Sequence, residues 1–325
     1  MRVYHYLWMM LMCMSVPLCT SAQMIWKEPP PANLDSWKWG PGGEQSAPRP
    51  PFQFIREKRT GTNPKVVVED SKGRLWTVKF GSEVYADTFA PRILNALGYA
   101  AEPTFFVPGG RIGGVHDLKR AKHFISKTGA FRNASFKLHR RGAGPEDERA
   151  WSWTSNPFVG SRQLAGLKIL VMLISNWDTK DARDGNGSNN KFLHASSVDG
   201  LTAWYAVTDW GASLGKCGSF LHRDRWDLSG YAAQTPSFVR LTRKGEIHWD
   251  FDGKHRQDIT AGIGLDDIRW FVPYLSRISD DELLTGLEAS GAAIPIAQGF
   301  TRMIRKRIGE LQQIANSRLI QRAGK

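Results

Sequence analysis

Cysteine is nearly absent, with only Cys13, Cys19 and Cys217 in 325 residues. The first two fall in an N-terminal apolar segment, so an internal disulfide is excluded once that segment is gone. A chain of this length has core enough to fold without cross-links. The eight His show no His-Glu-x-x-His pair, which argues against that type of metal hydrolase. No Gly-x-Ser-x-Gly elbow appears, which argues against a serine hydrolase of that design. Internal repeats are absent, and the N-terminal apolar run is short for a bilayer span.

Basic residues are in excess, with a net charge of +13. They are spread along the chain, with clusters at His139-Arg140-Arg141 and between Arg302 and Arg307. Such a surface suits anionic small molecules: nucleotides, phosphates or lipid headgroups. Nucleic acid is not expected, because the N-terminus carries an export pattern. Arg2 precedes an apolar run from Tyr6 to Leu18, and Thr20-Ser21-Ala22 offers the small residues of a cleavage site. Residues 1–22 are therefore expected to be a signal peptide, cleaved after Ala22, with a single membrane anchor as the alternative. The mature chain would be periplasmic or extracellular, with no stable membrane span.

Residues 23–55 are rich in Pro and Gly and read as a linker or an extended strap. From Lys65 the pattern sharpens. Lys65-Val66-Val67-Val68-Glu69 and Leu75-Trp76-Thr77-Val78-Lys79-Phe80 flank the turn Asp70-Ser71-Lys72-Gly73, which predicts a β-hairpin. A helix is expected from Glu83 to Leu97, stopped by Gly98, with Pro91 kinking it or delaying its start. Two further strands are expected at 104–107 and 111–115, separated at Gly109-Gly110. Residues 116–160 give no clear periodicity, and Trp151, Trp153 and Asn156-Pro157-Phe158 look like packed loop. Residues 162–175 predict a helix buried on nearly all sides. Two strands follow, around Lys191-Phe192-Leu193 and Trp204-Tyr205-Ala206-Val207. The tail is helical, with a capping box at Ser279-Asp280-Asp281-Glu282 and an apolar stripe through Phe300, Met303, Ile304, Ile308 and Leu311. The expected fold is α+β: a small β-rich lobe over residues 56–115 and a larger, mainly helical lobe over 116–325.

Three features carry chemistry. Lys79 ends an apolar strand, where kinases place a lysine that holds nucleotide phosphates. Its acidic partner would be Glu83 or Asp87 on the following helix. Asn176-Trp177-Asp178-Thr179-Lys180 follows the buried helix. There Asp178 can accept a proton from an attacking hydroxyl, and Lys180 can neutralise phosphate charge. An Asn amide oxygen near the loop's end suits Mg²⁺, and Asn186, Asn189 and Asn190 are the candidates; Asn190 is chosen because it directly precedes a strand. Asp209-Trp210-Gly211 then matches the Asp-aromatic-Gly triplet whose carboxylate holds Mg²⁺ on the phosphates, its Gly permitting a tight turn. Each feature alone is common, but in this order they are those of a kinase.

Lys79-Phe80-Gly81 with 92–99, Asn176 to Asp181, and Asp209 to Lys216 resemble a family of exported bacterial proteins. These in turn resemble the atypical kinase branch that includes HipA-type kinases and phosphatidylinositol kinases. The resemblance covers roughly residues 55 to 315 as scattered motifs. It implies a two-lobed kinase-like fold binding ATP and Mg²⁺, with Lys79 on phosphate, Asp178 as base, and Asn190 and Asp209 on metal. The acceptor would be the hydroxyl of a protein, lipid or small molecule. Two departures stand out. No Gly-x-Gly-x-x-Gly covers the phosphates, and Arg183 occupies the position where kinases carry the metal-binding Asn. Together with an exported location away from cytoplasmic ATP, these support an alternative: a pseudokinase or binding module that recognises a ligand or envelope partner without catalysis.

Overall fold

The computed structural model describes residues 22–31, 33–59, 61, 63–139, 149–197, 200–219, 221–242 and 244–317. Of the expected signal segment 1–22, residues 1–21 lie outside them. Among the described residues no helix is long and apolar enough to cross a membrane.

The chain opens with β1 (Ala22–Met24) and α1 (Leu34–Trp39). It then builds β2 (Phe52–Lys58), β3 (Lys65–Glu69), β4 (Leu75–Phe80), α2 (Val84–Ala96), β5 (Thr104–Gly113) and β6 (Ala130–Leu138). The five strands β2 to β6 close into a barrel in the order β2-β3-β4-β6-β5. β-Branched Val66 and Val68 point inward with Trp76, Val78, Phe80, Phe105 and Phe136 to form one core. Asp70 sets the β3–β4 turn by accepting the N–H groups of Lys72 and Arg74, the Arg74 guanidinium and the Trp76 indole N–H.

The second part begins with the buried helix α3 (Arg162–Leu173), capped by Ser161 Oγ. The hairpin β7 (Asn190–Ser197) and β8 (Gly200–Val207) follows, with β1 pairing parallel to β8. Then come α4 (Leu228–Gln234), the short pair β9 (Val239–Leu241) and β10 (Ile247–Trp249), α5 (Arg256–Thr260), α6 (Leu265–Arg277), α7 (Asp280–Glu288) and α8 (Ile294–Asn316). The expected capping box is present at Ser279 and Glu282. A second, larger core unites α3, α6, α7 and α8.

Several local expectations are corrected. Of the linker or strap expected over 23–55, the described residues form a strap. Buried Ile25 and Trp37 anchor it, and it ends inside barrel strand β2. Trp26 Nε1 donates to Leu97 O at 2.7 Å, and Lys27 N–H donates to Gly98 O at 3.0 Å. Gly98 must lack a side chain, because its φ is +83° and a β-carbon would lie 2.0 Å from Lys27 O.

Residues 104–113 form one strand rather than two. Gly109 and Gly110 sit within it, pressed against Phe131, whose ring would lie 3.1 Å from a β-carbon on Gly110. The barrel also extends past 115 to include β6. Its pattern is hidden because Asn133 adopts φ 47°, shifting the buried positions from Phe131 to Ala134 and Phe136. Helix α2 runs through buried Pro91 without ending there. Its apolar residues Phe89, Ile93 and Leu94 belong to the large helical core, not to the barrel. α2 is thus fixed to the helical part while its polar face reaches the barrel.

Candidate functional site

Lys79, the fifth residue of β4, is buried at the junction of the two cores. Its Nζ lies 2.8 Å from Asp87 Oδ2, 3.3 Å from Asp209 Oδ1 and 4.0 Å from Glu83 Oε2. Burial alone would lower the lysine's pKa. The carboxylates of Asp209, Asp87 and Glu83 outweigh it and hold Lys79 above its usual value, fully protonated. Of the two acidic candidates, Asp87 is the close partner. Glu83 instead pairs with Arg225, beyond Asp209 in the chain. Burial and the neighbouring charge of Asp209 raise Glu83's pKa, against the pull of Lys79 and Arg225.

Asp209 is half-buried, and burial would raise its pKa; Lys79, Lys137, the Gly211 N–H and Lys65 bring it below the usual carboxylate range. Its Oδ1 faces Lys79 and the Gly211 N–H, the latter at 3.2 Å. Oδ2 accepts no hydrogen bond among the described residues. Gly211 follows for a steric reason: a β-carbon there would meet the Glu83 side chain at 2.8 Å. The chain does turn at Gly211, as expected from sequence, but without a positive φ.

Asp178 sits in the loop after α3. Ser175, at φ 55°, turns the chain out of the helix. Asn176, fully buried, then ties two parts of the site together: its Oδ1 accepts the Asp178 N–H at 3.3 Å, and its Nδ2 donates to Asp209 O at 3.2 Å. Lys180 Nζ lies 2.9 Å from Asp178 Oδ2. Asn189 Nδ2 donates to the Asp178 carbonyl, and Asn189 O accepts the Thr208 N–H at 2.8 Å. The choice of Asn190 meets a difficulty. It is fully buried opposite Val207, and its amide finds no partner. Asn189 is the one whose side chain reaches the Asp178 loop. A strand start marks both, and only the pairing decides between them.

Lys79, Asp87, Asp178, Asn189 and Asp209 are thus linked through direct contacts or through Asn176. Sequence reading includes Asn176 in the motif but gives it no role, although an Asn two residues before an Asp is a known turn former. It also missed Arg225 and Lys137, for which no local signal exists. Lys137 Nζ pairs with Glu102 at 3.1 Å and also donates to Thr208 O, next to Asp209. Tyr85 stacks on Trp226 at 5.3 Å, a second clamp of α2 on the segment after Asp209.

The loop base is anchored from α8. Arg307, fully buried, donates to Met172 O, Leu173 O, Ser175 Oγ, Thr235 Oγ1 and Tyr231 O, and stacks 3.8 Å from the Tyr231 ring. It satisfies the last carbonyls of α3, which fixes where Asn176 and Asp178 start. Arg307→Met is expected to cost about 3–5 kcal/mol in urea unfolding, because several buried acceptors lose their donor at once.

Two other chemistries are accounted for structurally. Asp181, Asp184 and His255 bring ligand atoms within 4.8 Å of one another. Protein donors already fill this cluster. Asp181 accepts the Trp153 N–H at 2.9 Å, the Arg183 N–H at 3.0 Å and the Arg183 guanidinium, and Asp184 meets His255 Nε2 at 2.6 Å. Burial would raise Asp181, yet the Arg183 and Trp153 donors bring it down to about 2. The cluster braces the 181–187 loop on α5. Arg183, standing where a kinase Asn would be, belongs to this brace. Cys217 is buried, its pKa pushed up to about 12 by burial, so it is an idle thiol.

No protein-family model and no curated protein matches the chain. Six solved chains are similar to it. Two of these are the Golgi casein kinase with Mn/ADP bound and the Golgi casein kinase. Both are 13% identical with a TM-score of 0.38, covering 84% and 85% of this chain and 74% of theirs.

Proposed function

We propose that this chain is a kinase-like phosphotransferase that binds ATP with Mg²⁺ between the barrel and the helical part. The observation that carries the reading is the meeting of Lys79, Asp87 and Asp209, contributed by β4, α2 and the segment after β8. A strand lysine paired to an acid on the next helix, facing an Asp-x-Gly carboxylate, is the kinase arrangement for nucleotide phosphates.

The residues fit such a ligand. Asp209 Oδ2 and the Asn189 amide oxygen are hard oxygen donors of the kind Mg²⁺ prefers. Asn189 is assigned here in place of Asn190. Mg²⁺, when bound, neutralises charge on the phosphate oxygens. Lys79 holds the phosphates of the nucleotide. Asp178 accepts the proton of the acceptor hydroxyl as its oxygen bonds to the γ-phosphorus and the bond from that phosphorus to the β-phosphate oxygen breaks, releasing ADP. Lys180 steadies the Asp178 carboxylate before transfer. The acceptor is a hydroxyl of a protein, lipid or small molecule, and the site of action is the periplasm or the exterior.

Isothermal titration with ATP and Mg²⁺ tests this reading. Saturable binding at sub-millimolar ATP is expected, with Asp209→Ala losing about a hundredfold in affinity, since its carboxylate would hold the Mg²⁺ that neutralises the phosphates. No binding at millimolar nucleotide would overturn it.

A further inference from the structure

We propose that Lys65 is a phosphate ligand of this cleft, acting on the β- and γ-phosphates in place of the missing glycine-rich cover; the proposal rests on the nucleotide reading above. Strand register brings it there. Lys58 of β2 stands opposite Lys65 of β3, and Lys65 stands opposite Lys79 of β4. Directly opposed residues of antiparallel strands share a face, and neighbouring strands lie about 4.8 Å apart. The alternate residues Val66, Val68, Val78 and Phe80 fill the barrel interior. The three lysines therefore leave the barrel together, on its outer face, in the row that ends at Lys79.

Within that row only Lys65 is uncommitted. Lys79 has its carboxylates, and Lys58 Nζ meets Thr77 Oγ1 at 3.4 Å. Lys65 is half-buried, and its side chain makes no hydrogen bond or ion pair among the described residues. Its ammonium lies against Gly61 in the β2–β3 hairpin, where a β-carbon would come within 2.9 Å of Nζ. Burial, and then the charge of Lys79, hold its pKa below the usual value, while Asp209, Asp87 and Glu83 pull the other way. A partly desolvated cation beside a second cation is the arrangement that an oligophosphate relieves.

The described carbonyls of the hairpin are already committed. Arg120 Nη1 donates to Arg59 O at 3.1 Å and Gly61 O at 2.8 Å. Glu57 accepts the N–H groups of Lys119, Arg120 and Ala121 at 2.8, 2.8 and 2.7 Å. Its backbone is thus tied to the segment after β5, whereas a glycine-rich loop lies over the phosphates. A lysine side chain reaching out from beside Gly61 supplies the positive charge that backbone N–H groups supply elsewhere.

Titration of Mg-ATP, Mg-ADP and AMP into wild type, Lys65→Met and Lys65→Arg tests this, with thermal unfolding to show that each variant is folded. Lys65→Met is expected to weaken ATP and ADP by about ten- to a hundredfold, with AMP nearly unchanged and Lys65→Arg close to wild type. Unchanged ATP affinity in a folded Lys65→Met, or equal weakening of AMP, would overturn the role of Lys65 and leave the nucleotide reading standing. Wild type that binds none of the three would overturn both.

Discussion

Asp178→Asn is expected to slow phosphoryl transfer by about a thousandfold while Mg-ATP affinity stays within about twofold of wild type. The substitution removes the proton-accepting oxygen and its ion pair with Lys180, and leaves the backbone contacts of the loop in place. The backbone contacts that hold the loop, from Asn176 Oδ1 to the Asp178 N–H and from Asn189 Nδ2 to its carbonyl, involve no side-chain atom of Asp178. The amide oxygen of Asn can still face Lys180. Binding and chemistry should therefore separate cleanly. Single-turnover transfer from γ-labelled ATP, beside titration of the nucleotide, reads both quantities. Loss of rate with retained binding assigns Asp178 as the base. An unchanged biological activity would instead favour the binding-module reading, in which the fold recognises a ligand without transfer.

Lys79→Met is expected to remove nucleotide binding and also to destabilise the fold by about 3–5 kcal/mol. Asp87 is 2% exposed and lies 2.8 Å from the lysine. Without Lys79, its charge would be buried beside Glu83 and Asp209 with no cation at that distance. The pair also joins the barrel to the core that holds α2, so its loss loosens the two parts together. Adding Asp87→Leu should recover most of the stability but none of the binding. A pH dependence follows. Unpaired, buried carboxylates have folded-state pKa values above their unfolded values, so protonation favours the folded state. The deficit of Lys79→Met relative to wild type should shrink as pH falls from 7 toward 5. Urea unfolding at both pH values measures it. An equal deficit at both would mean that lost packing, not stranded charge, is the cause.

Much of the fold was legible because it is written in short-range patterns. The β3–β4 hairpin shows in a β-branched run, turn residues and a second apolar strand. Helix α3 shows as a continuous apolar segment, and the Ser279–Glu282 box announces α7. Strand β6 was not legible. Its left-handed Asn133 shifts the alternation on which strand reading depends. Whether the segment before β2 is linker or strap was also open, because few of its residues are apolar. Ile25 and Trp37 nonetheless bury it firmly.

At the site, the order Lys79, Asp178, Asp209 was available from sequence, since each sits at the end of a regular element that periodicity reveals. The partners were not. Glu83 is nearer to Lys79 in sequence than Asp87 is, yet one turn of α2 swings Asp87 onto the lysine and leaves Glu83 to Arg225. Asn189 and Asn190 are neighbours, and only the pairing of β7 with β8 decides which amide meets the Asp178 loop. Lys65 looks like an ordinary strand-end lysine until the register of three strands aligns it with Lys79. By itself, then, the sequence determined the elements and the chain order of the chemical groups, because propensity and periodicity act over a few residues. The tertiary structure alone decided which charges meet, because strand register, helix rotation and the packing of α2 depend on contacts between segments far apart in the chain.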